Sequence, residues 1–280
     1  MRKEKIRQTD FKDYERPSTR LRQFGDIFKH RFLELIKISL LQTVFNMPLI
    51  ASVILFYVLV RNSTNMNALM TVFIIQSGAL FISLPISFIG LTGSFYCMKK
   101  LIYAEGEFAS SSYFIGLREE WKKGLIIGLL PGFSVALSII GYYFFCFYLS
   151  DANPIIAGFG IAILAIQLIL VMMISYYSIG QTVIYSNTVF FTFKNSLIMM
   201  LIRFPYNLLF FILYPGIFIA LFCIMEITMF VGVGLLVFFS AIGHLMWMLN
   251  NVAAFDRFIN KESYPDYYRK GLSDIKNTEV

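Results

Sequence analysis

The chain is 280 residues long, 58% hydrophobic and only 15% charged, with a mean hydropathy of +0.68. Soluble domains carry about 25% charged residues and avoid apolar blocks of about twenty residues, so a soluble enzyme, a disordered chain and a nucleic-acid-binding module are excluded. The formal charge is +7, and Cys97, Cys146 and Cys223 lie in separate apolar blocks, which argues against a disulfide framework or a metal cluster.

Residues 1–21 read as a charged extension. The basic stretch before the first apolar block is too long for a cleavable signal peptide, and Arg61-Asn62-Ser63 offers no small-residue cleavage site, so the first span is expected to stay. From residue 22 a helical periodicity sets in. Phe24, Ile27, Phe28, Phe32, Leu35 and Ile36 recur at i, i+3, i+4 intervals, while Arg22, Asp26, Lys29, His30 and Lys37 take the other face. Such a helix lies in the membrane interface, its cations near anionic headgroups. It reads either as an anchor that orients the bundle or as a docking surface for a cytoplasmic partner, with Phe28, Lys29 and Phe32 as its candidate contacts. His30 falls on the solvated side.

Six blocks then reach the roughly 20 apolar residues a helix needs to cross a bilayer: 38–60, 69–98, 125–150, 155–185, 205–225 and 227–249. Barrel strands would alternate apolar and polar side chains, and no alternation is visible. The predicted fold is all-α, a polytopic bundle of six spans within a membrane domain at 22–258, followed by a tail at 259–280. Lysine and arginine number eleven in 1–37, five in 99–123, two in 186–204 and five after 250, with Arg61 the only cation elsewhere. By the positive-inside rule both termini are cytoplasmic and the outer turns are very short. The last two blocks abut at Met225-Glu226-Ile227, where Glu226, the sole ionised group, marks the expected turn. Five spans with a re-entrant segment is the competing reading.

Within the second span Ser83, Ser87, Gly90 and Ser94 form a face of small residues where another backbone can approach closely, and Pro85 predicts a kink. This set reads as helix packing or as part of a mobile gating helix. Polar side chains in the spans are few: Gln42, Asn46, Gln76, Gln167, Gln181 and His244. Charged groups are absent from mid-membrane, which counts against an ion-coupled pump. His244 is expected to bond to a neighbouring helix. Arg203, at the cytoplasmic boundary, is expected to snorkel.

A pentad recurs ahead of each pair of spans: Phe28-Lys29-His30-Arg31-Phe32, Leu117-Arg118-Glu119-Glu120-Trp121 and Phe193-Lys194-Asn195-Ser196-Leu197. A proline follows in the next span each time, at Pro48, Pro131 and Pro205. The pattern suggests three units of interfacial helix plus helical hairpin, and adds Gly116, Arg118, Glu119, Trp121 and Lys194 to the candidate docking residues. No phosphate-binding loop, H-E-x-x-H or G-x-S-x-G motif occurs, and no catalytic constellation, cofactor site or metal site is read. The chain is expected not to be an enzyme.

The pentads, with Phe45-Asn46-Met47-Pro48, Tyr103-Ala104-Glu105-Gly106-Glu107 and Arg203-Phe204-Pro205-Tyr206-Asn207-Leu208, carry a resemblance. Across about residues 22–260 the chain resembles the YesL-like family of bacterial membrane proteins, whose function is unknown. The resemblance implies a helical protein of the bacterial cytoplasmic membrane, often associated with carbohydrate uptake, and it supplies no catalytic residues. Two functions follow as expectations. One is an accessory or scaffold protein that acts through its cytoplasmic face on partners such as transporter subunits. The other is a permease driven by a separate ATPase, for which Glu107, Gly116 and Leu130-Pro131 hold the ingredients of a coupling loop at displaced spacing.

Overall fold

The computed structural model describes residues 16–105, 109–185, 187–224 and 226–273, with side chains at all of them except 109, 222–224 and 226–229. Among these residues six helices are long and apolar enough to cross a membrane, and there is no strand. The chain is a polytopic helical membrane protein.

Helix α1 (Arg20–His30) begins where the Arg22 N–H donates to Thr19 Oγ1 at 3.2 Å, a side-chain cap for an otherwise orphan donor. It ends at Arg31, whose backbone (φ −124°, ψ 22°) leaves the helical region. The first span, α2 (Phe32–Arg61), departs from there. The amphipathic pattern over 22–37 is therefore split, and Phe32, Leu35 and Ile36 already belong to the span.

Helix α3 (Met66–Ile102) starts at Asn65, which accepts from the Ala68 N–H at 2.8 Å. Its 37 residues make it about 55 Å long, beyond the hydrocarbon core of about 30 Å. Its last turn carries Lys99 and Lys100. Helix α4 (Ala109–Phe144), extended by a π-helical turn at Phe145–Leu149, is longer still. The second pentad thus belongs to the span itself and forms no separate interfacial helix. No proline stands between Leu117 and Leu125, and Gly124 is held in the helix by close packing on α3.

Asn153 caps α5 (Pro154–Ile184) by accepting from the Ile156 N–H at 3.1 Å. Helix α6 (Val189–Ile202) then runs to Arg203, where φ −112° and ψ 26° repeat the break seen at Arg31. In both places an Arg-Phe pair joins a short helix to a span. The fifth span is discontinuous: α7 (Phe204–Phe211), a π-helical stretch at Ile212–Gly216 with extended backbone at Tyr214, and α8 (Ile217–Ile224). Pro215, which has no N–H to donate, sits at the break after a cis peptide bond.

The sixth span, α9 (Glu226–Phe255), starts at the residue expected to mark the turn, while Met225 lies outside the described residues. Beyond it come a π-helical turn (Asp256–Asn260), α10 (Lys261–Ser263) and a 3₁₀ turn (Pro265–Tyr267). Helix α9 is the hub, packing against α1, α2, α3, α5, α7 and α8. Its Leu245, Trp247, Met248, Val252 and Phe255 are fully buried.

Candidate functional site

Two polar assemblies stand out against this apolar frame, one inside the bundle and one at its basic end. The inner assembly follows one side of α9. His244 is buried, with Nδ1 2.7 Å from Ser94 Oγ on α3 and Nε2 2.9 Å from the Tyr214 hydroxyl at the break in the fifth span. One turn on, Trp247 Nε1 donates to the Tyr214 carbonyl at 2.6 Å, which satisfies a group freed by the broken helix. Farther along, Asn250 Nδ2 donates to Asn207 Oδ1 at 3.0 Å, and the Tyr177 hydroxyl donates to the same oxygen at 2.8 Å. Arg203 Nη1 donates to the Asn250 carbonyl at 3.0 Å. Arg203, half-buried, is thereby tied to the hub helix. A second cluster joins α2 to α3: Gln42 Nε2 and Ser87 Oγ both donate to Asn46 Oδ1, at 3.1 and 2.5 Å. Apart from the Gln42–Asn46 bond within α2, these bonds tie one segment of the bundle to another, so the assembly fixes helix register.

The outer assembly is a clamp that joins four distant parts of the chain. Arg20 Nη2 of α1 pairs with Asp256 Oδ2, just past α9, at 2.7 Å. Arg20 Nη1 also donates to the Lys270 carbonyl at 3.1 Å. Gln23 Nε2 donates to the Ile102 carbonyl at the end of α3 and to the Gly271 carbonyl in the tail, at 2.6 and 3.3 Å. Lys270 Nζ reaches Glu105 at 2.5 Å and lies over the Tyr103 and Tyr267 rings, 5.2 and 5.5 Å from their centroids. Lys100 Nζ approaches the same carboxylate at 3.0 Å. Partial burial pushes the Glu105 carboxyl up, but the hydrogen bonds from Lys270 and Lys100 overcome that and hold it below its ordinary value. Burial and the neighbouring Asp256 charge push the Tyr103 phenol well above its ordinary range.

Two cavities flank the clamp. One, of about 430 Å³, lies between α1, the end of α3 and the start of α4. Its charges balance, with Arg16, Arg31 and Lys100 facing Asp26, Glu34 and Glu105. The other, of about 460 Å³, lies between the start of α1, the end of α9 and the tail. Among the described residues no three of His, Cys, Asp or Glu gather where a metal could be held.

The candidate docking residues fall into two groups. Phe28, Lys29, Arg118, Glu119, Trp121 and Lys194 are exposed, and Phe32 is half-buried. Phe28 stacks on Phe24 of α1 and meets Phe32 of α2 edge-on. Gly116 is buried: a Cβ there would run into the Tyr96 side chain. Its small size is set by α3–α4 packing, and the whole stretch from Gly116 to Pro131 is one continuous helix. Glu107 lies outside the described residues. His30 is exposed, with Nδ1 3.1 Å from an Asp26 carboxylate oxygen.

The packing face on α3 meets three partners. A Cβ at Gly90 would stand 2.6 Å from Phe45 Cβ of α2. Ser87 bonds to Asn46 and Ser94 to His244, while Ser83 is buried. Pro85 packs against α4 at Gly128 and Gly132. Gly124, Gly128 and Gly132, spaced by four, escaped the sequence reading. They let α4 approach the backbone of α3, and their spacing in an apolar run is the legible signal. Helix α6 buries Thr192, Ser196, Met199 and Met200 against the bundle. Phe190, Leu197 and Leu201 point outward, and Thr192 and Ser196 point inward. Ser196 Oγ accepts there from Ser178 and from Gln181, each at 3.0 Å.

Compared with family models, with curated proteins and with solved structures, the chain matches none. Its class therefore rests on its own architecture: a six-span helical membrane protein with a clamped, basic end.

Proposed function

We propose that the protein is an accessory or scaffold component of a membrane assembly and works through its basic end. The observation that carries this is the clamp. Four segments far apart in sequence are fastened together by Arg20–Asp256, Gln23 with its two carbonyls, and Lys270–Glu105–Lys100. Around them Phe28, Lys29, Arg118, Glu119 and Trp121 stay exposed. A surface held rigid at this cost in buried polar groups is organised for contact, since preorganisation lowers the entropy lost on binding.

The excess of lysine and arginine at this end supports a cytoplasmic assignment. The resemblance to the YesL-like family supports a bacterial cytoplasmic membrane and a link to carbohydrate uptake. The permease reading is weaker, because Gly116 is packed against Tyr96 and no separate loop presents it to an ATPase.

A photo-crosslinking residue placed at Lys29 or Trp121, in cells at native expression, tests the proposal. A discrete protein adduct from both positions, lost from the Lys29 position when Trp121→Asp is added and never formed from Asn67 at the opposite end, is the expected result. Equal labelling from all three positions, or uptake of labelled sugar by the purified protein alone in liposomes, would overturn it.

A further inference from the structure

The second cavity differs from the first in charge. Arg20, Arg257, Lys261 and Arg269 face it, and Asp256 is the sole carboxylate among its lining residues. That carboxylate is already committed. Its Oδ2 takes Arg20, and its Oδ1 accepts from Asn260 Nδ2 at 2.8 Å and from the Arg269 N–H at 3.2 Å. Arg257, Lys261 and Arg269 have no ion pair among the described residues. Arg257 rests only over the neighbouring Phe258 ring, 5.3 Å from its centroid.

Three cations left unneutralised around one hollow repel one another, as like charges four apart on a helix do. The fold nonetheless brings them together, and at Arg269 it does so with φ at +54°. An arginine held in the left-handed region is strained, and such strain gathers at ligand sites. The same hollow receives the start of α1, with Ser18 and Thr19 on its wall. Thr19 Oγ1 already caps the Arg22 N–H there, which leaves the helix start its partial positive charge and both hydroxyls able to donate. Cations, hydroxyls and a helix start converging on one hollow form the chemistry that holds a phosphate.

We infer that this cavity binds a phosphate group through Arg257, Lys261 and Arg269, supplied by an anionic lipid headgroup or by a soluble phosphate. The hollow lies just past the end of the sixth span, and basic clusters at span ends are where anionic lipid headgroups are met. The cavity shares Arg20 and Asp256 with the clamp, but Arg257, Lys261 and Arg269 belong neither to the clamp's ion pairs nor to the docking residues around Trp121, so they can be changed without touching that surface.

The full chain in phosphatidylcholine nanodiscs provides the test. Inorganic phosphate is titrated by calorimetry against chloride at constant ionic strength. Retention of phosphatidic acid is read by native mass spectrometry after extraction from mixed phosphatidic acid and phosphatidylcholine membranes. The variants are Arg257→Gln and Arg269→Gly, with Lys37→Gln on α2, exposed and outside both cavities, as the control. Arg269→Gly removes a cation and also relieves the positive φ, so it should unfold no more readily than the parent chain. It should nevertheless weaken binding about tenfold, the loss expected for one charge-assisted contact. Phosphate binding that falls in both variants identifies a soluble ligand, and phosphatidic acid retention that falls without phosphate binding identifies the lipid. If the parent chain binds neither, or if the variants bind as well as the parent, the site is refuted.

Discussion

The Tyr214 hydroxyl lies 2.9 Å from His244 Nε2, and it reaches that position from the break in the fifth span. On its other side the same imidazole meets Ser94. One side chain thus ties the broken helix to α9 and to α3, which explains how a span with an interrupted backbone keeps a single path through the bundle. His244→Ala leaves two buried hydroxyls without their partner. Bonds of this kind inside membranes average about 0.6 kcal/mol and reach about 1.7 kcal/mol, so a combined loss of about 1–3 kcal/mol is expected, with a smaller loss for Tyr214→Phe. Thermal unfolding in mild detergent measures both, and a His244→Ala chain as stable as the parent would remove the bridging role.

The Arg20–Asp256 pair spans almost the whole sequence at 2.7 Å, with both side chains about nine-tenths buried. Removing one partner of a buried pair costs about 3–5 kcal/mol because the other charge stays uncompensated. Asp256→Asn should therefore free α1 and the tail from α9 while the spans hold. Hydrogen exchange would rise over residues 20–30 and 264–273 and stay unchanged in α3 and α5. Uniform protection in the variant would mean that the clamp is not what docks the two ends.

The Glu105 carboxylate gives that clamp a pH dependence. Its folded-state value is depressed, since hydrogen bonds from Lys270 and Lys100 outweigh the upward push of burial. A depressed carboxylate contributes stability above its unfolded value, and this is lost as pH falls through the folded value. Docking of the tail should be strongest near neutrality and weaken as the medium is acidified below the usual carboxylate range. Glu105→Gln should flatten this contribution, so that parent and variant differ at neutral pH and converge in acid. A gap between them that persists at low pH would contradict the assignment.

The spans were legible because each is a long apolar block, and lipid leaves the backbone no choice but helix. The start of α1 was legible as well, since Ile27 and the polar Arg22 and Lys29 fall on opposite faces of one short helix. The tail was not. Lys270 and Gly271 find Arg20, Gln23 and Glu105 across gaps of 165 to 250 residues, and no local periodicity announces such a pairing. The break at Arg31 was hidden too, because the apolar pattern runs through it without a proline or glycine. His244 could be singled out as the lone histidine in a span, yet its partners Ser94 and Tyr214 depend on which helices become neighbours.

Gly128 and Gly158 offer the sharpest contrast in the apolar frame. A Cβ at Gly128 would lie 2.7 Å from both Pro85 Cα and Phe88 Cβ, whereas one at Gly158 would meet nothing within 4 Å. Adding the same methyl group should therefore act in opposite directions. Gly128→Ala forces α4 away from the backbone of α3, an overpacking that costs about 1–3 kcal/mol. Gly158→Ala adds no clash and replaces the residue least suited to a helix interior, which is worth up to about 1 kcal/mol. Melting temperatures of the two variants in the same detergent should fall on either side of the parent. If Gly128→Ala melts at or above the parent, the Gly124, Gly128 and Gly132 stripe is not what sets the close approach of α3 and α4.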